Sequence, residues 1–329
     1  MTVNAPAPIR NVTVACAQMA CTWDRPANVA RAEALIRAAA ARGAQIIQIQ
    51  ELFEAPYFCI EQHAKHFDLA TTVEESSTVR RFQALAKSLQ VVLPVSWFER
   101  AGRAFFNSVA VIDADGSVLG VYRKSHIPND VGYQEKQYFS PGDTGFRVWR
   151  TRYAPIGVAI CWDQWFPEAA RAMALLGAEL LFYPSAIGTD PAYGLDMASP
   201  WQRVMQGHAV ANSMPVIACN RIGTEKATTS ELELTFFGSS FIADQAGAKV
   251  QEADTASEAV LVHTFDLEAC RRTREYWSLF RDRRPDLYGT LLTHDGGFTR
   301  YVPPAGLIST WADAASGPFE GGRHHGNSE

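Results

Sequence analysis

The chain has 329 residues, of which 47% are hydrophobic and 20% are charged. This balance is typical of a sequence that buries most of its apolar surface in a core, and it excludes disordered and fibrous proteins. Lys and Arg number 30 against 35 Asp and Glu, so the chain offers no basic surface for a nucleic acid backbone.

The cysteines and the hydrophobic pattern bear on where the protein works. The six cysteines are spread along the chain without a C-x-x-C pair, which suits a reducing compartment. The first residues carry no apolar run behind a positive charge, and no apolar stretch reaches the roughly 18 residues of a membrane span. We therefore expect a cytoplasmic protein with no membrane partner.

In the first half of the chain, β-rich segments alternate with helix-favouring ones. Val12 to Gln18 and Ala44 to Glu51 are predicted strands on either side of an Ala-rich helix from Asn28 to Ala41. A second helix is predicted at Ser77 to Ser88. Two further β-rich segments follow, VVLPVSWFER and FNSVAVIDADGSVLGVYRK. The DADG turn folds the second of them into a hairpin, which indicates a mixed sheet.

The same order returns from Tyr153 onward. The strand-like segments APIGVAIC, ELLFYPS and PVIACN alternate with a helix from Pro167 to Leu176 and with a helix opened by Ser199 and Pro200. The segment FGSSFIADQAGAKVQEAD then repeats the hairpin pattern of the first half. No linker separates the halves, so the repetition predicts one domain with two pseudo-symmetric halves.

Cys161 lies in the segment with the clearest chemical signal. An apolar strand delivers it to a tight corner, and Pro167 with Glu168 then open an amphipathic helix. The partial positive charge of that helix N-terminus would favour the thiolate of a nucleophile. The alternative is a buried core cysteine at a strand end, which is the more common role of a cysteine.

The eight histidines do not supply an obvious base for this cysteine. His63 and His66 share one predicted solvated face, and no further ligand stands near them at the spacing of a zinc site. His126 and His208 lie in better neighbourhoods, but an isolated histidine is more often structural than catalytic. The base must therefore be sought among other residue types.

Glu51 and Lys124 are the better partners. Each ends a predicted strand, as Cys161 does, and strand ends are where α/β proteins gather their active sites. A buried strand tolerates a terminal charge such as that of Glu51 only where a partner or a function keeps it there. The other interpretations are a helix-capping role for Glu51 and a surface role for Lys124.

The motifs around these three residues, ELFEAPYF, YRKSHIP and AICWDQWFPEAAR, resemble the nitrilase (carbon-nitrogen hydrolase) superfamily. The resemblance extends over about residues 10 to 295 and includes the segments GYQEKQYFSPGDTGF, GAELLFYPSAIG, WQRVMQGHAVANSMPVIACNRIG, FGSSFIAD and FRDRRPDLY. It implies an α/β fold, a four-layer-forming α-β-β-α sandwich of the nitrilase type with pseudo-symmetric halves. Residues 1–9 are expected to form an N-terminal extension, and residues 296–329 a C-terminal extension with a flexible end.

The resemblance also implies roles for individual residues. Cys161 is the nucleophile, Glu51 is the general base, and Lys124 is the cation that stabilises the oxyanion together with the backbone N–H of Trp162. Glu135, in the segment GYQEK, is a second active-site glutamate that orients Lys124 and the substrate. No metal ion and no organic cofactor is implied.

The implied reaction is hydrolysis of N-carbamoylputrescine to putrescine, carbon dioxide and ammonia through a cysteine thioester. The remote ammonium of such a small ureido-amine needs an acidic or aromatic partner in a narrow pocket. Asp190 is the first candidate for this partner and Asp196 the second, although both could be ordinary loop acids. Tyr57 and Trp162 either line the pocket or pack in the core.

Two other functions stay open. An N-carbamoyl-β-amino acid substrate, as for a β-ureidopropionase, would require an arginine, for which Arg203 is the nearest candidate in sequence. A non-catalytic scaffold is the other, and the buried charges around a thiol argue against it. The resemblance finally implies a homodimer or a higher homo-oligomer, with the helix from Glu168 to Leu176 near the contact.

Overall fold

The structure, a computed structural model, describes residues 9–189, 191–192 and 194–297 of the chain. The strands among these residues are β1 Asn11–Gln18, β2 Ile46–Ile49, β3 Leu93–Ala101, β4 Ala104–Ile112, β5 Val118–Arg123, β6 Val148–Arg150, β7 Pro155–Val158, β8 Leu180–Pro184, β9 Val216–Cys219, β10 Ile222–Lys226, β11 Glu233–Phe237, β12 Phe241–Ala243, β13 Lys249–Glu252 and β14 Ala259–Asp266. The α-helices are α1 Arg25–Ala41, α2 Ser77–Leu89, α3 Pro167–Leu175, α4 Ala198–Asn212 and α5 Leu267–Trp277.

The first β-layer is built from two three-stranded sheets that meet edge to edge. In one, β1 is antiparallel to β14 and parallel to β2. In the other, β3, β4 and β5 form an antiparallel meander. Backbone hydrogen bonds from Ile47 N to Val92 O and from Val92 N to Gln45 O join β2 to the start of β3. The strand order across the layer is therefore β14-β1-β2-β3-β4-β5.

The second layer repeats this arrangement in the order β6-β7-β8-β9-β12-β13. β7, β8 and β9 are parallel, and antiparallel neighbours flank them on both sides. Each half thus has three parallel strands linked by two helices, followed by an antiparallel hairpin. The predicted pseudo-symmetric halves and the α/β sandwich fold are confirmed.

Side-chain alternation along the strands creates both the centre and the flanks of the sandwich. On β1, Val14 and Cys16 belong to the core between the two layers, whereas Ala15 and Ala17 face the core under α1 and α2. α1 meets that face with apolar residues at helical spacing, namely Ala32, Leu35, Ile36 and Ala39. α3 and α4 cover the second layer with Met173, Trp201, Met205 and Ala209.

Some elements differ from the sequence predictions. β2 ends at Ile49, so Glu51 lies in the corner after the strand and not at its last position. β6, the β10-β11 hairpin, β14 and α5 were not predicted. The strands β6, β10 and β11 are short and α5 is rich in Arg, so their hydrophobic patterns are weak, whereas β14 has eight residues and begins with the apolar run AVLV. No described helix combines the length and the apolarity that a membrane crossing requires.

The chain from Phe280 onward forms a separate compact unit. Among its described residues, Pro285–Leu292 form a 3-10 helix, and Arg284 pairs with Asp286 at 2.6 Å. The predicted extensions at residues 1–9 and 296–329 fall almost entirely outside the described residues, and their boundaries stay predictions.

Candidate active site

Cys161 occupies a strained corner three residues after the end of β7. It begins the 3-10 turn Cys161–Trp165, and its φ of 42° lies in the left-handed region. A non-glycine residue held there costs about 1–3 kcal/mol, and such strain gathers at functional sites. The corner turns the side chain away from the sheet, and α3 then begins at Pro167.

Lys124 follows β5 and lies between two carboxylates. Its Nζ is 2.9 Å from Glu51 Oε1 and 2.8 and 2.7 Å from Glu135 Oε1 and Oε2. All three residues are fully buried. Burial would lower the pKa of Lys124, but Glu135 and Glu51 together raise that pKa well above its ordinary value. The ammonium therefore stays charged.

The two glutamates differ in how their oxygens are used. Glu135 accepts from Lys124 through both oxygens, whereas Glu51 accepts through Oε1 alone, from Lys124 and from Asn107 Nδ2 at 2.6 Å. Glu51 Oε2 is buried and has no hydrogen-bond partner among the described residues. A buried acceptor without a partner is costly, and this oxygen can receive a proton from a reacting group.

The protonation of Cys161 differs from the sequence expectation. Burial is the largest influence and raises the pKa of the thiol well above its ordinary value, Glu51 raises it further, and Lys124 opposes them. The helix N-terminus was expected to favour the thiolate, whereas burial, which favours the neutral thiol, is the largest influence on this pKa. The resting side chain is a neutral thiol, so it must lose its proton before or during any attack.

Tyr57 contacts Glu135 and does not form a wall of the cavity beside Cys161. Its hydroxyl donates to Glu135 Oε1 at 2.5 Å, and its ring packs against Tyr133 and Phe236 in the core. Burial raises the pKa of Glu135 to about 7; Lys124 lowers that pKa, while Glu51 raises it. Tyr57 thus helps to hold Glu135.

Arg221, which was not selected from the sequence, binds the backbone carbonyl groups of Glu51 and its neighbours. Its Nη2 donates to the carbonyls of Glu51 and Leu52 at 3.0 and 2.8 Å, and its Nη1 donates to Ala55 O and Glu225 Oε1 at 2.9 and 2.7 Å. Leu52 has a φ of 49°, so this corner is also strained. One sequence feature could have identified Arg221. It is a charged residue that follows a buried strand, in the segment PVIACNR, just as Glu51 and Lys124 follow theirs.

Asp163 joins the Cys161 corner to the chain beyond Lys124. Its fully buried carboxylate accepts from Ile160 N at 3.0 Å, from Tyr122 Oη at 2.7 Å, and from His126 N and Nδ1 at 3.0 and 2.6 Å. No local sequence pattern indicated that Asp163 joins the two segments. Both segments are therefore fixed to one anion.

The other histidines considered from the sequence are engaged away from Cys161. His66 Nε2 lies 3.0 Å from Glu61, His208 Nε2 lies 2.8 Å from Gln164 O, and His63 accepts from Lys65 N. Within the part of the chain that the structure describes, no three His, Cys, Asp or Glu residues are grouped to hold a metal ion.

A cavity of about 170 Å³ opens in front of Cys161. Its described lining comprises Pro128, Asn129, Asp130, Val131, Tyr133, Glu135, Cys161, Trp162, Ile187, Gly188, Thr189 and Met197. Trp162, for which the sequence left both a pocket and a core position open, is part of this lining. The lining carries no Lys or Arg side chain among the described residues.

The structure describes only one of the two acids proposed to bind the remote ammonium. Asp196 does not line the cavity; its Oδ1 accepts from Ala198 N and Ser199 N at 3.1 and 3.4 Å and caps the start of α4. Asp190 lies outside the described residues. Arg203, proposed for a carboxylate substrate, is exposed and is not part of the described lining.

Known proteins are similar to this chain in both sequence and architecture. The chain matches the carbon-nitrogen hydrolase family over residues 13–275. An N-carbamoylputrescine amidase of Arabidopsis thaliana is 58% identical over 290 residues, or 87% of this chain and 97% of that protein. A citrullinase of Francisella tularensis is 52% identical over 283 residues, or 86% and 98%. The crystal structure of a carbon-nitrogen hydrolase from Helicobacter pylori G27 has a TM-score of 0.82 at 40% identity, covering 86% of this chain and 99% of that one.

Proposed function

This chain belongs to the carbon-nitrogen hydrolase family, and we propose that it hydrolyses N-carbamoylputrescine to putrescine, carbon dioxide and ammonia. It is an amidohydrolase that acts on linear C-N bonds and serves polyamine biosynthesis. The observation that carries the proposal is a fully buried Lys124, held between Glu51 and Glu135 beside the strained Cys161. Identity of 58% across 97% of an N-carbamoylputrescine amidase supports the substrate.

The first half of the reaction forms a thioester. The Cys161 thiol gives its proton to Glu51 Oε2 as the sulfur attacks the ureido carbon. Lys124 and the backbone N–H of Trp162 stabilise the negative charge that develops on the carbonyl oxygen. The bond from carbon to the terminal NH2 then breaks, and ammonia leaves with the proton from Glu51.

The second half releases the amine. Water gives a proton to Glu51, and its oxygen attacks the thioester carbon. The carbon-sulfur bond breaks, and Cys161 regains its proton from Glu51. The product is an N-alkyl carbamic acid, which loses carbon dioxide to leave putrescine. In this scheme every proton moves through the Glu51 carboxylate. The hydrogen bonding of Glu51 is consistent with this role, because Lys124 binds one of its oxygens and the other has no partner among the described residues.

A second candidate substrate is citrulline, favoured by the 52% identity to a citrullinase. Citrulline carries the same ureido group, but its far end bears a carboxylate beside the ammonium. An N-carbamoyl-β-amino acid also ends in a carboxylate. The described lining of the cavity contains Asp130 and Glu135 but no cationic side chain, so it favours the diamine derivative over both acids.

A substrate panel tests the proposed function. Ammonia release is measured for N-carbamoylputrescine, citrulline and N-carbamoyl-β-alanine with the same enzyme preparation. We expect the highest kcat/KM for N-carbamoylputrescine and complete loss of activity in Cys161→Ala. A higher kcat/KM for either carboxylate substrate would overturn the choice of substrate, and an active Cys161→Ala variant would overturn the mechanism.

We further propose that the protein is a cytoplasmic homo-oligomer, at least a dimer, with α3 near the contact. Leu175 at the end of α3 and the adjoining Leu176 are 49% and 48% exposed, and apolar surface of this kind supports an interface. All six cysteines are free thiols, which supports a reducing compartment. Light scattering of the purified protein measures the stoichiometry, and a monomeric mass would contradict the assembly.

A further inference from the structure

The cavity in front of Cys161 has a buried end and an open end. Cys161 and Glu135 form the buried end, whereas Asn129, Asp130 and Val131 are exposed at the open end. A ureido carbon in contact with the sulfur of Cys161 leaves the remainder of the substrate extending toward the open end. The chemistry of that end therefore acts on the group farthest from the reacting carbon.

Charge is distributed unevenly along this path. Among the described lining residues, Asp130 is the one ionisable side chain at the open end. The other acid of the lining, Glu135, already binds Lys124 and Tyr57. A cationic substrate group at the open end thus faces the Asp130 carboxylate, and a carboxylate group there would be repelled.

A tight turn fixes Asp130 in place. Asp130 N donates to Tyr133 O at 3.1 Å and Tyr133 N donates to Asp130 O at 2.9 Å, while Asp130 Oδ1 accepts from Val131 N at 2.7 Å. Gly132 has a φ of 78°, and a Cβ at this position would lie 2.9 Å from Leu234 Cδ2. Because the turn is rigid, substrate binding does not have to order the carboxylate.

The opposite wall of the cavity is tied to the same turn. Tyr133 Oη accepts from Gly188 N at 2.9 Å and donates to Thr189 O at 3.0 Å. These two bonds set the position of the 187–189 segment relative to the turn that carries Asp130. The two walls of the cavity are therefore held together by hydrogen bonds of the fold.

We propose that Asp130 binds the remote ammonium of the substrate and thereby selects N-carbamoyl diamines over ureido compounds with a neutral or anionic end. This assignment rests on the proposed function and goes beyond it by naming the residue that determines specificity. It takes the place of Asp196, whose carboxylate caps α4.

The test compares two substrates of nearly equal length. N-pentylurea has a methyl group where N-carbamoylputrescine has its ammonium. In Asp130→Asn we expect KM for N-carbamoylputrescine to rise about 10-fold with kcat within about 2-fold, because a charge-assisted contact at a partly open site is lost. KM for N-pentylurea is expected to stay unchanged.

The control and a second variant separate specificity from damage. Asp115→Asn makes the same chemical change in the turn between β4 and β5, at the opposite end of β5 from Lys124, and it should leave both substrates unaffected. Asp130→Lys should reverse the preference toward N-carbamoyl-5-aminopentanoate, which ends in a carboxylate. Thermal unfolding checks that each variant is folded.

The outcomes are distinguishable. If the unaltered enzyme releases ammonia from N-carbamoylputrescine but Asp130→Asn keeps the same ratio of kcat/KM between the two substrates, the assignment of Asp130 is overturned and the proposed function stands. If the unaltered enzyme releases no ammonia from N-carbamoylputrescine, the proposed function fails and the assignment fails with it.

Discussion

Two glutamates bind one lysine in this site, yet their surroundings prepare them for different tasks. Glu51 keeps one buried oxygen without a hydrogen-bond partner among the described residues. Glu135 binds Lys124 with both oxygens and also accepts from Tyr57. A base needs an oxygen that can gain a proton, whereas a residue that orients Lys124 needs both oxygens occupied. The difference supports Glu51 as the proton carrier and Glu135 as its support.

We expect Glu135 to make the activity sensitive to pH near neutrality. Its pKa is raised to about 7, so acidification protonates it and removes an acceptor from Lys124. We expect kcat/KM to fall as the pH drops through about 7 and this acidic limb to disappear in Glu135→Gln, with a lower kcat throughout. A pH profile for each protein provides the measurement, and an unchanged limb in Glu135→Gln would contradict the assignment.

The contribution of Glu135 to the free energy of unfolding changes with pH in the opposite direction to the activity. A carboxyl pKa that is higher in the folded protein than in the unfolded chain favours folding at low pH, below the ordinary carboxyl pKa of about 4.3. That contribution is lost as the pH rises through about 7. Relative to Glu135→Gln, the unaltered protein should therefore lose stability between these pH values while its activity rises.

Lys124 directly follows the end of β5, and neighbouring backbone holds this end in position. Gly142 N donates to Lys124 O at 2.7 Å. A Cβ on Gly142 would lie 2.1 Å from Arg123 O and 2.8 Å from Lys124 O. Only glycine allows the two backbone segments to approach this closely. The geometry of Lys124 thus depends on a residue that never meets the substrate.

Substituting this glycine should damage catalysis through the end of β5. In Gly142→Ala we expect a loss of at least about 1 kcal/mol of stability and a fall in kcat, because the added Cβ must push the Lys124 backbone away. Gly207→Ala is the matched control, since a Cβ there meets nothing within 4 Å. That helix-interior change in α4 should raise stability by about 0.5–1 kcal/mol and leave kcat unaltered. Denaturant unfolding and steady-state kinetics measure both effects, and normal kcat in Gly142→Ala would refute this role.

The proposed active site exists only when both halves of the sandwich are assembled. Glu51 and Lys124 come from the first half and Cys161 from the second, with Arg221 of the second half binding the Glu51 corner. Glu51 N also donates across the layers to Ser185 O at 3.4 Å. One core of buried residues runs between the layers and includes Val14, Val109, Phe182 and Phe241. The chemistry is therefore coupled to this common core.

Removing a large side chain from the common core should lower the stability of the whole sandwich, and activity should be lost in the same transition as the fold. Phe182 on β8 is fully buried, and Phe182→Ala should cost about 3–5 kcal/mol. Loss of activity and loss of tryptophan fluorescence are expected at the same denaturant concentration. Leu119→Ala, at a side chain that is 37% exposed, should change stability by less than about 1 kcal/mol. Two separated transitions would contradict a single cooperative unit.

Much of this protein follows from local sequence. Period-two and helical patterns predicted the central strands and the helices α1 to α4, because burial on one face imposes those spacings. The echo between the two hairpins predicted the pseudo-symmetry. The motifs around Glu51, Lys124 and Cys161 indicated the family and therefore the charged residues that belong together. Residues close together in the chain determine these features, so a single sequence is sufficient to predict them.

Other features depend on contacts between residues far apart in the chain. Arg221 meets the Glu51 corner across 170 positions, and no local pattern encodes that approach. The neutral state of the Cys161 thiol follows from the depth of burial, which is a property of the folded molecule. Likewise, Asp130 and Asp196 are both acids in loops, but the folded chain brings only Asp130 of these two to the cavity. Tertiary packing sets burial and long-range distance, and these two quantities determine charge state and specificity.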